Sequence, residues 1–533
     1  MNWMKFREHQ FFLSSHATKY VGRYPLFIIF ATAILSTLIV YIPFWMNGSF
    51  DILYRYWDGP NYAYLAESLY SIPKDHPLSA YTTPEYFSAH LPVYPLSINL
   101  FSFFGYLNAM LVTTAIYGGL AAIVLYKLLR ETQTVESPLW SAIISLFIPA
   151  RYLIYHSVGA TEAPFIFFTL WSMLAYTRGQ YVLCFALAGL SGITRITGIL
   201  IGGAYFMMLV MDGKWKKIPL LSLIGFPLLA TFTFYHFHYG DFFAYFGTNY
   251  SSSNKLISLN PFDLFRTYSG NGNTHSAEFY LMMYAMYGLG TALLWAKNKL
   301  FFWYCFFTFC FSVFIVHQDV SRYLIPMAPL ALVVAYDSVF SKKAFKFLFF
   351  PFLILVYIYT WGMLPKNVID VKNFHKLERY LDKNSETPTI YETFSDLSMT
   401  SCGYGVCRSH IAAGKGLKLF TERGLSIYGH YENGQLIYMG NLDHCANKRA
   451  YIDSPTLKKL INEQDTKPKS VFLLSDDTVV CDYKKLAGID VWVEGFDLKK
   501  LKSIKFRQSY IGIIDVDSGS TSELRDKKTI KYP

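Results

Sequence analysis

Ahead of residue 365 the chain is assembled from apolar runs of roughly 17–22 residues, the length at which a helix rising 1.5 Å per residue crosses about 30 Å of hydrocarbon. One such run could be the buried helix of a soluble core; a series of them cannot, because too little polar surface would remain to cover the molecule. The fold class that follows is an α-helical polytopic membrane protein. Composition agrees: 53% of residues are hydrophobic, 18% aromatic and only 16% charged, against about a quarter charged in a soluble domain.

The runs place spans near 26–46, 107–127, 139–156, 163–177, 181–196, 198–211, 218–236, 278–296, 300–316, 324–340 and 347–364, eleven in all. Residues 181–211 fit one long bent helix or two short ones. No cleavable signal peptide is apparent, since residues 1–24 are basic and mixed and the first apolar run is long enough to remain a span. With the N-terminus inside, cytoplasmic segments receive fifteen Lys and Arg residues and the opposite side or span ends receive seven, the asymmetry of the positive-inside rule. An odd number of spans then leaves the tail outside. Localisation would be integral and multi-pass, in a plasma membrane if bacterial and the endoplasmic reticulum if eukaryotic. The net charge of +11 does not indicate a nucleic-acid partner: the +7 carried before residue 365 is accounted for by cytoplasmic-loop cations.

Two domains are expected. Residues 1–364 form the transmembrane domain, with a first outer loop at 47–106 and a second large one at 237–277. Residues 365–533 form an extracytoplasmic soluble α/β domain. In the first loop, Tyr62, Leu65, Ala66 and Leu69 recur at helical spacing, which suggests an amphipathic helix over Asn61–Tyr70 lying on the membrane surface. The run Leu91–Leu107, interrupted by Pro92 and Pro95, reads as an interfacial helix. Residues 237–277, rich in Tyr, Phe, Asn, Ser and Gly, read as a flexible outer loop that carries the sequon Asn249-Tyr250-Ser251. In the tail, 370–383 and 455–463 are helical candidates, and Ser470–Leu474, Val479–Asp482 and Tyr510–Asp515 strand candidates. Cys402, Cys407, Cys445 and Cys481 lie in the tail. An even number of cysteines in an exported domain suggests disulfides, with three connectivities open; a zinc site with His410 and His444 is the competing reading.

Ionisable residues near a bilayer are costly and default to functional candidates. They gather in five patches where outer helix ends should meet. These are Trp57-Asp58-Gly59 with Tyr62; His90-Leu91-Pro92-Val93-Tyr94-Pro95-Leu96; Tyr155-His156 through Glu162 to Phe165; Thr194-Arg195-Ile196-Thr197-Gly198; and Ser321-Arg322-Tyr323-Leu324-Ile325-Pro326. The set suits group transfer from an anionic lipid, with a carboxylate to accept a hydroxyl proton and guanidinium groups to hold a phosphate. Simpler roles stand beside this. Asp58 would cap the helix starting near Gly59, Glu162 would cap the helix entering Pro164, and Arg322 would snorkel to the interface.

In order and content the five patches resemble the glycosylphosphatidylinositol mannosyltransferase II family, within the GT-C superfamily of polytopic glycosyltransferases. That family carries Trp-Asp-Gly/Ala-x-x-Tyr/Phe, aromatic-Pro-Leu-Tyr-Pro-Leu, Tyr-Ser-Glu-x-x-Phe, Thr-Arg-x-x-Gly and a late Arg-Tyr-x-x-Pro, and His90 stands where the family often has an aromatic. Here Ala160-Thr161-Glu162 stands in place of Tyr-Ser-Glu, and the resemblance covers residues 1 to about 364. It implies a GT-C-type fold and inverting transfer of a hexose, mannose first, from a dolichyl- or undecaprenyl-phosphate donor to a hydroxyl of a lipid-linked or exported glycan. By the same resemblance Asp58 is the general base and Glu162 a second catalytic acid or orienting group. Arg195 and Arg322 would clamp phosphate, and Trp57, Tyr62, His90 and Tyr94 would contact donor or sugar. No cofactor is required, though a divalent cation is admissible; the partners are membrane lipids, the lipid-phosphate sugar and a glycan or glycolipid acceptor. Two rivals remain. A transporter or flippase of lipid-linked sugars would use the arginines without a base, and an envelope scaffold acting through its tail would need neither.

Overall fold

In a computed structural model the described residues are 24–369, apart from 75, 80–81, 253–255 and 269–276, and beyond them eight strands and a few helical positions of the tail. The chain divides into two compact units, Met1–Ile369 and Asp370–Pro533. The first is helical. Five of its helices are long and apolar enough to cross a membrane: Pro25–Met46, Tyr106–Thr132, Trp215–Tyr239, Ala277–Lys297 and Lys343–Lys366. Shorter apolar helices run over Tyr181–Gly192, Ile196–Met211 and Lys299–Ser312. The chain is an α-helical polytopic membrane protein.

Local sequence explains several boundaries. Pro25 opens its helix with a ring already set at helical φ. Gly240, at φ +74, ends Ser222–Tyr239 in the left-handed conformation that costs glycine nothing. Asn298 caps Lys299–Ser312 by accepting from the Phe301 N–H at 3.1 Å. The helices Tyr106–Thr132 and Glu162–Thr177 pack along each other at the centre. Glu162–Thr177 is buried along nearly its whole length. By contrast Pro25–Met46, Ser222–Tyr239 and Lys343–Met363 leave Leu35, Leu38, Ile42, Phe226, Leu229, Phe347, Phe350, Leu355 and Ile358 exposed. Apolar rows on both inner and outer faces mark helices whose outer solvent is lipid.

Four expectations change. The predicted span 139–156 is broken into Pro138–Ile144 and Ala150–Tyr155, with the cis peptide Ile148–Pro149 between them. The span 324–340 is likewise segmented, with a π-helical stretch over Pro329–Val334 and a new short helix from Asp337. The first-loop helix exists, as Gly59–Ser68, but it does not lie on a surface. Its residues Gly59 to Ala66 are all buried, because it inserts beside Val93–Asn99 and Tyr106–Thr132. The second loop is not featureless: it contains the helices Ala244–Ser252 and Leu264–Tyr268. The Ser88 hydroxyl holds the first of these through the Ala244 carbonyl and the Thr248 hydroxyl, both at 3.0 Å.

In the second unit β1 (Leu397–Gly403) and β2 (Val406–Ile411) form an antiparallel pair. A six-stranded sheet has the order β3 (Phe420–Glu422), β4 (Leu425–Glu432), β5 (Gln435–Gly440), β6 (Ser470–Asp476), β7 (Ser509–Ile514), β8 (Ile530–Lys531), with only β5 and β6 parallel. The strand candidates at 470–474 and 510–515 fall on β6 and β7. Positions 374, 377, 378, 380 and 381 of the helical candidate 370–383 are helical. The candidates at 455–463 and 479–482, and the side chains of Cys402, Cys407, Cys445 and Cys481, lie outside the described residues.

Residues 181–211 resolve into two helices, Tyr181–Gly192 and Leu200–Met211, joined by a turn in which Arg195 is extended (φ −145, ψ 132). Gly198 closes that turn onto the end of the preceding helix, so that a Cβ there would stand 2.5 Å from the Ser191 carbonyl carbon and 2.6 Å from the Gly192 nitrogen. Backbone cannot step aside as a side chain can. Gly198→Ala is therefore expected to destabilise the protein by about 1–3 kcal/mol, read as a lower melting temperature in detergent, whereas Gly202→Ala, where a Cβ meets only Ile224 at 3.4 Å, should not.

Candidate active site

Asp58 is the residue preceding the helix Gly59–Ser68, yet its side chain makes no capping hydrogen bond. The capping role open in the sequence is not the one its carboxylate plays. That carboxylate is about one-third exposed and faces Arg322, with Nη1 3.6 Å from Oδ2, and His90, with Nε2 4.0 Å from Oδ1. Across the site Glu162, the first residue of its helix, is completely buried. One of its oxygens, Oε1, accepts from Arg195 Nη1 at 2.5 Å and from Arg322 Nε at 2.6 Å. Arg195 Nη1 also donates to the Thr161 hydroxyl at 3.1 Å. The Arg322 guanidinium lies over the Tyr155 ring at 5.0 Å, and that of Arg195 near the Tyr323 ring at 5.7 Å.

The loops bearing the two carboxylates are brought together by two glycines. A Cβ on Gly159 would fall 2.9 Å from the Gly59 Cα and 2.3 Å from the Met110 sulfur. Tyr94 braces the second loop from below: its hydroxyl accepts the Ala160 N–H at 3.2 Å and shares a 2.5 Å hydrogen bond with Thr114. Tyr62 meets His90 and Tyr94 edge to face, at 4.9 and 5.0 Å between ring centres. The His90 carbonyl accepts both the Tyr70 and Tyr235 hydroxyls, at 2.5 and 3.2 Å. Burial draws the His90 imidazole below its ordinary value, with the Asp58 carboxylate opposing, so the ring is neutral near pH 7. Burial raises the Tyr62 and Tyr94 hydroxyls, which stay protonated.

Beside this cluster lies a cavity of about 500 Å³. Asp58, Arg195, Arg322, Thr161 and Thr194 give it polar groups; Ile196, Leu200, Phe246, Leu256, Phe311 and Ile315 give it apolar ones. Of the residues singled out in the sequence, Asp58, Tyr62, Arg195 and Arg322 reach the cavity. Glu162 and Tyr94 stand behind it, His90 sits against Asp58, and Trp57 is half-exposed away from it. His156 belongs elsewhere, between the Thr37 hydroxyl and the Leu146 carbonyl.

Sequence reasoning missed several contributors. Arg151, counted only as a span-end cation, pairs with Asp319 and donates to the Ser321 hydroxyl at 2.6 Å, immediately beside Arg322. Its place within a predicted span was the available signal, since a cation there needs a partner. Tyr245 and Asn249 come from the supposed flexible loop and line the cavity. Asn249, noted as a sequon, donates its amide to the Tyr245 carbonyl at 2.8 Å. Among the described residues no group of three or more His, Cys, Asp or Glu side chains is placed to hold a metal ion.

No protein-family model matches the chain, and no curated protein matches it. Among solved structures it matches the crystal structure of the Archaeoglobus fulgidus oligosaccharyltransferase tethered with an acceptor peptide containing the NVT sequon via a disulfide bond. The match has a TM-score of 0.41 and 13% identity, and covers 71% of this chain and 59% of that one. The chain thus spans less than two thirds of that structure's length.

The geometry separates the two carboxylates experimentally. Glu162→Ala leaves two largely buried guanidinium groups without their shared counter-charge and is expected to cost about 3–5 kcal/mol of stability. Asp58→Asn, at a partly solvated position, is expected to change stability by less than about 1 kcal/mol. Thermal melts of both purified variants check the contrast.

Proposed function

We propose that the protein is a GT-C-type membrane glycosyltransferase that moves a hexose, mannose first among candidates, from a polyprenyl-phosphate donor to a hydroxyl of a lipid-linked or exported glycan. The observation that carries this reading is a partly solvated carboxylate sharing one cavity wall with two arginines, in a cavity otherwise largely apolar. Each part answers a need of the chemistry. The apolar lining suits an isoprenoid chain, the guanidinium groups suit phosphate, and the carboxylate suits a hydroxyl that must lose its proton.

In the step envisaged, the acceptor oxygen attacks the anomeric carbon while the bond from that carbon to the phosphate oxygen breaks. The acceptor proton passes to an Asp58 carboxylate oxygen, and attack opposite the leaving group inverts the centre. The donor phosphate carries one negative charge as a diester and departs with two. Charge balances because Asp58 becomes neutral as the phosphate gains its second charge. Arg195 and Arg322 are then matched to the group whose charge grows, which is where preorganised donors lower a barrier. Two arginines against the Glu162 charge leave one net positive charge for the phosphate once Asp58 is protonated, which favours a monophosphate over a diphosphate carrier. Placement of this chemistry on the non-cytoplasmic face rests on the distribution of Lys and Arg between loops.

The test is transfer from radiolabelled polyprenyl-phosphate mannose and glucose into a lipid extract by purified protein. Transfer by wild type and none by folded Asp58→Asn is expected. Arg195→Ala is expected to raise the donor KM about 10- to 100-fold, the worth of a charge-assisted hydrogen bond. Normal turnover by Asp58→Asn would overturn the mechanism. No transfer by folded wild type, together with movement of either lipid across vesicle membranes, would support a transporter instead.

A further inference from the structure

The Asp58 carbonyl accepts the Tyr62 N–H at 3.1 Å in the first turn of its helix, but its carboxylate makes no capping hydrogen bond there, so the path of the chain entering the helix bears on where that carboxylate stands. Immediately before Asp58, Trp57 sits in the left-handed region at φ +44, which a bulky L-residue adopts only when its surroundings insist. The constraint comes from the far end of the first unit. The Trp57 N–H donates to the Asn367 carbonyl at 2.9 Å, and Tyr56 and Val368 form an antiparallel bridge. The Ile369 N–H in turn donates to the Arg55 carbonyl at 2.9 Å. Arg55 fastens the pair. Its Nε and Nη2 both donate to the Ile369 carbonyl, at 3.1 and 2.9 Å, and its Nη1 pairs with Asp51 at 2.7 Å. The side chain is about nine-tenths buried.

Residues 367–369 directly follow the last apolar helix and its short 3-10 turn, Leu364–Lys366, and directly precede the second unit at Asp370. The last three residues of the first unit are therefore stitched, by main chain and by one forked guanidinium, to the three residues that lead into Asp58.

We propose that residues 367–369 act as a strap that sets the position of Asp58, and that Arg55 is the positioning residue that fastens it. The proposal rests on the reading of Asp58 as the base. Arg55 does not line the cavity. Its loss should leave donor binding intact and misplace the carboxylate, and misplacement by about 1 Å can cost on the order of 100-fold in rate.

The experiment compares wild type, Arg55→Ala and Arg55→Lys, all full-length, by steady-state sugar transfer and by hydrogen–deuterium exchange of peptides covering residues 55–68. Arg55→Ala is expected to lower kcat about 10- to 100-fold with donor KM within about twofold, and to speed exchange at 55–58. Arg55→Lys, which keeps the Asp51 pair but loses the two-pronged grip, should fall between them, and it serves as the variant if Arg55→Ala does not fold. An unchanged kcat with exchange also unchanged would overturn the strap. So would a rise in donor KM equal to the loss in kcat, which marks a general loss of site structure. If wild type transfers neither sugar, the functional reading fails by itself, and the exchange measurement still decides whether Arg55 holds the loop.

Discussion

Much of the first unit's polar architecture is organised around one carboxylate that water never reaches. Glu162 binds two guanidinium groups through a single oxygen, and each comes from a different part of the chain: Arg195 from the turn between two apolar helices, Arg322 from the start of a short helix after Lys299–Ser312. In hydrocarbon an arginine is expensive alone and tolerable when paired. The carboxylate thus makes it possible to present two cations at a cavity wall inside a membrane protein. Arg151 with Asp319 repeats the device one step away, and Tyr155 lies under both arginines, 5.0 Å from Arg322 and 5.7 Å from Arg151.

The division of labour between the two carboxylates follows from burial. Glu162 is fully buried, does not line the cavity, and has its charge met by the two arginines. Asp58 keeps access to the cavity, has a longer contact with Arg322, and stands next to a histidine that burial keeps neutral. Under the proposed reading, a group that accepts a proton should not be locked in a tight ion pair. The difference between 2.6 Å at Glu162 and 3.6 Å at Asp58 is of the right kind.

Much of this was legible in the sequence because costly residues in apolar surroundings announce themselves. Asp58, Arg195 and Arg322 were singled out on that ground, and the structure brings them to one cavity. The paired short helices of 181–211 were among the alternatives the apolar pattern allowed. What could not be read was how segments turn towards each other. The spacing of Tyr62, Leu65, Ala66 and Leu69 describes one apolar face, but the remaining faces of Gly59–Ser68 are small or aromatic enough to be buried as well. Helical periodicity cannot distinguish a surface helix from an inserted one when its polar face is Asn61, Tyr64 and Glu67. The expectation of a flexible loop at 237–277 falls short for a similar reason: Tyr245, Phe246 and Asn249 are of loop-like composition but furnish part of the cavity wall.

The contact between Gly59 and Gly159 has a mechanical side. With no side chain between them, and the Met110 sulfur filling the remaining space, the two loops have no compressible layer and must move as one block. That block carries both Asp58 and Glu162, and through Glu162 it grips both arginines. Any enlargement of the cavity for a bulky molecule must therefore be taken up by the opposite wall. There Phe246 lies on the helix Ala244–Ser252 that Ser88 holds, and Ile257 lies in a short ladder with the exit of Lys299–Ser312, where the Val316 N–H donates to the Leu256 carbonyl at 2.8 Å and the Ser258 N–H to the Phe314 carbonyl at 2.9 Å.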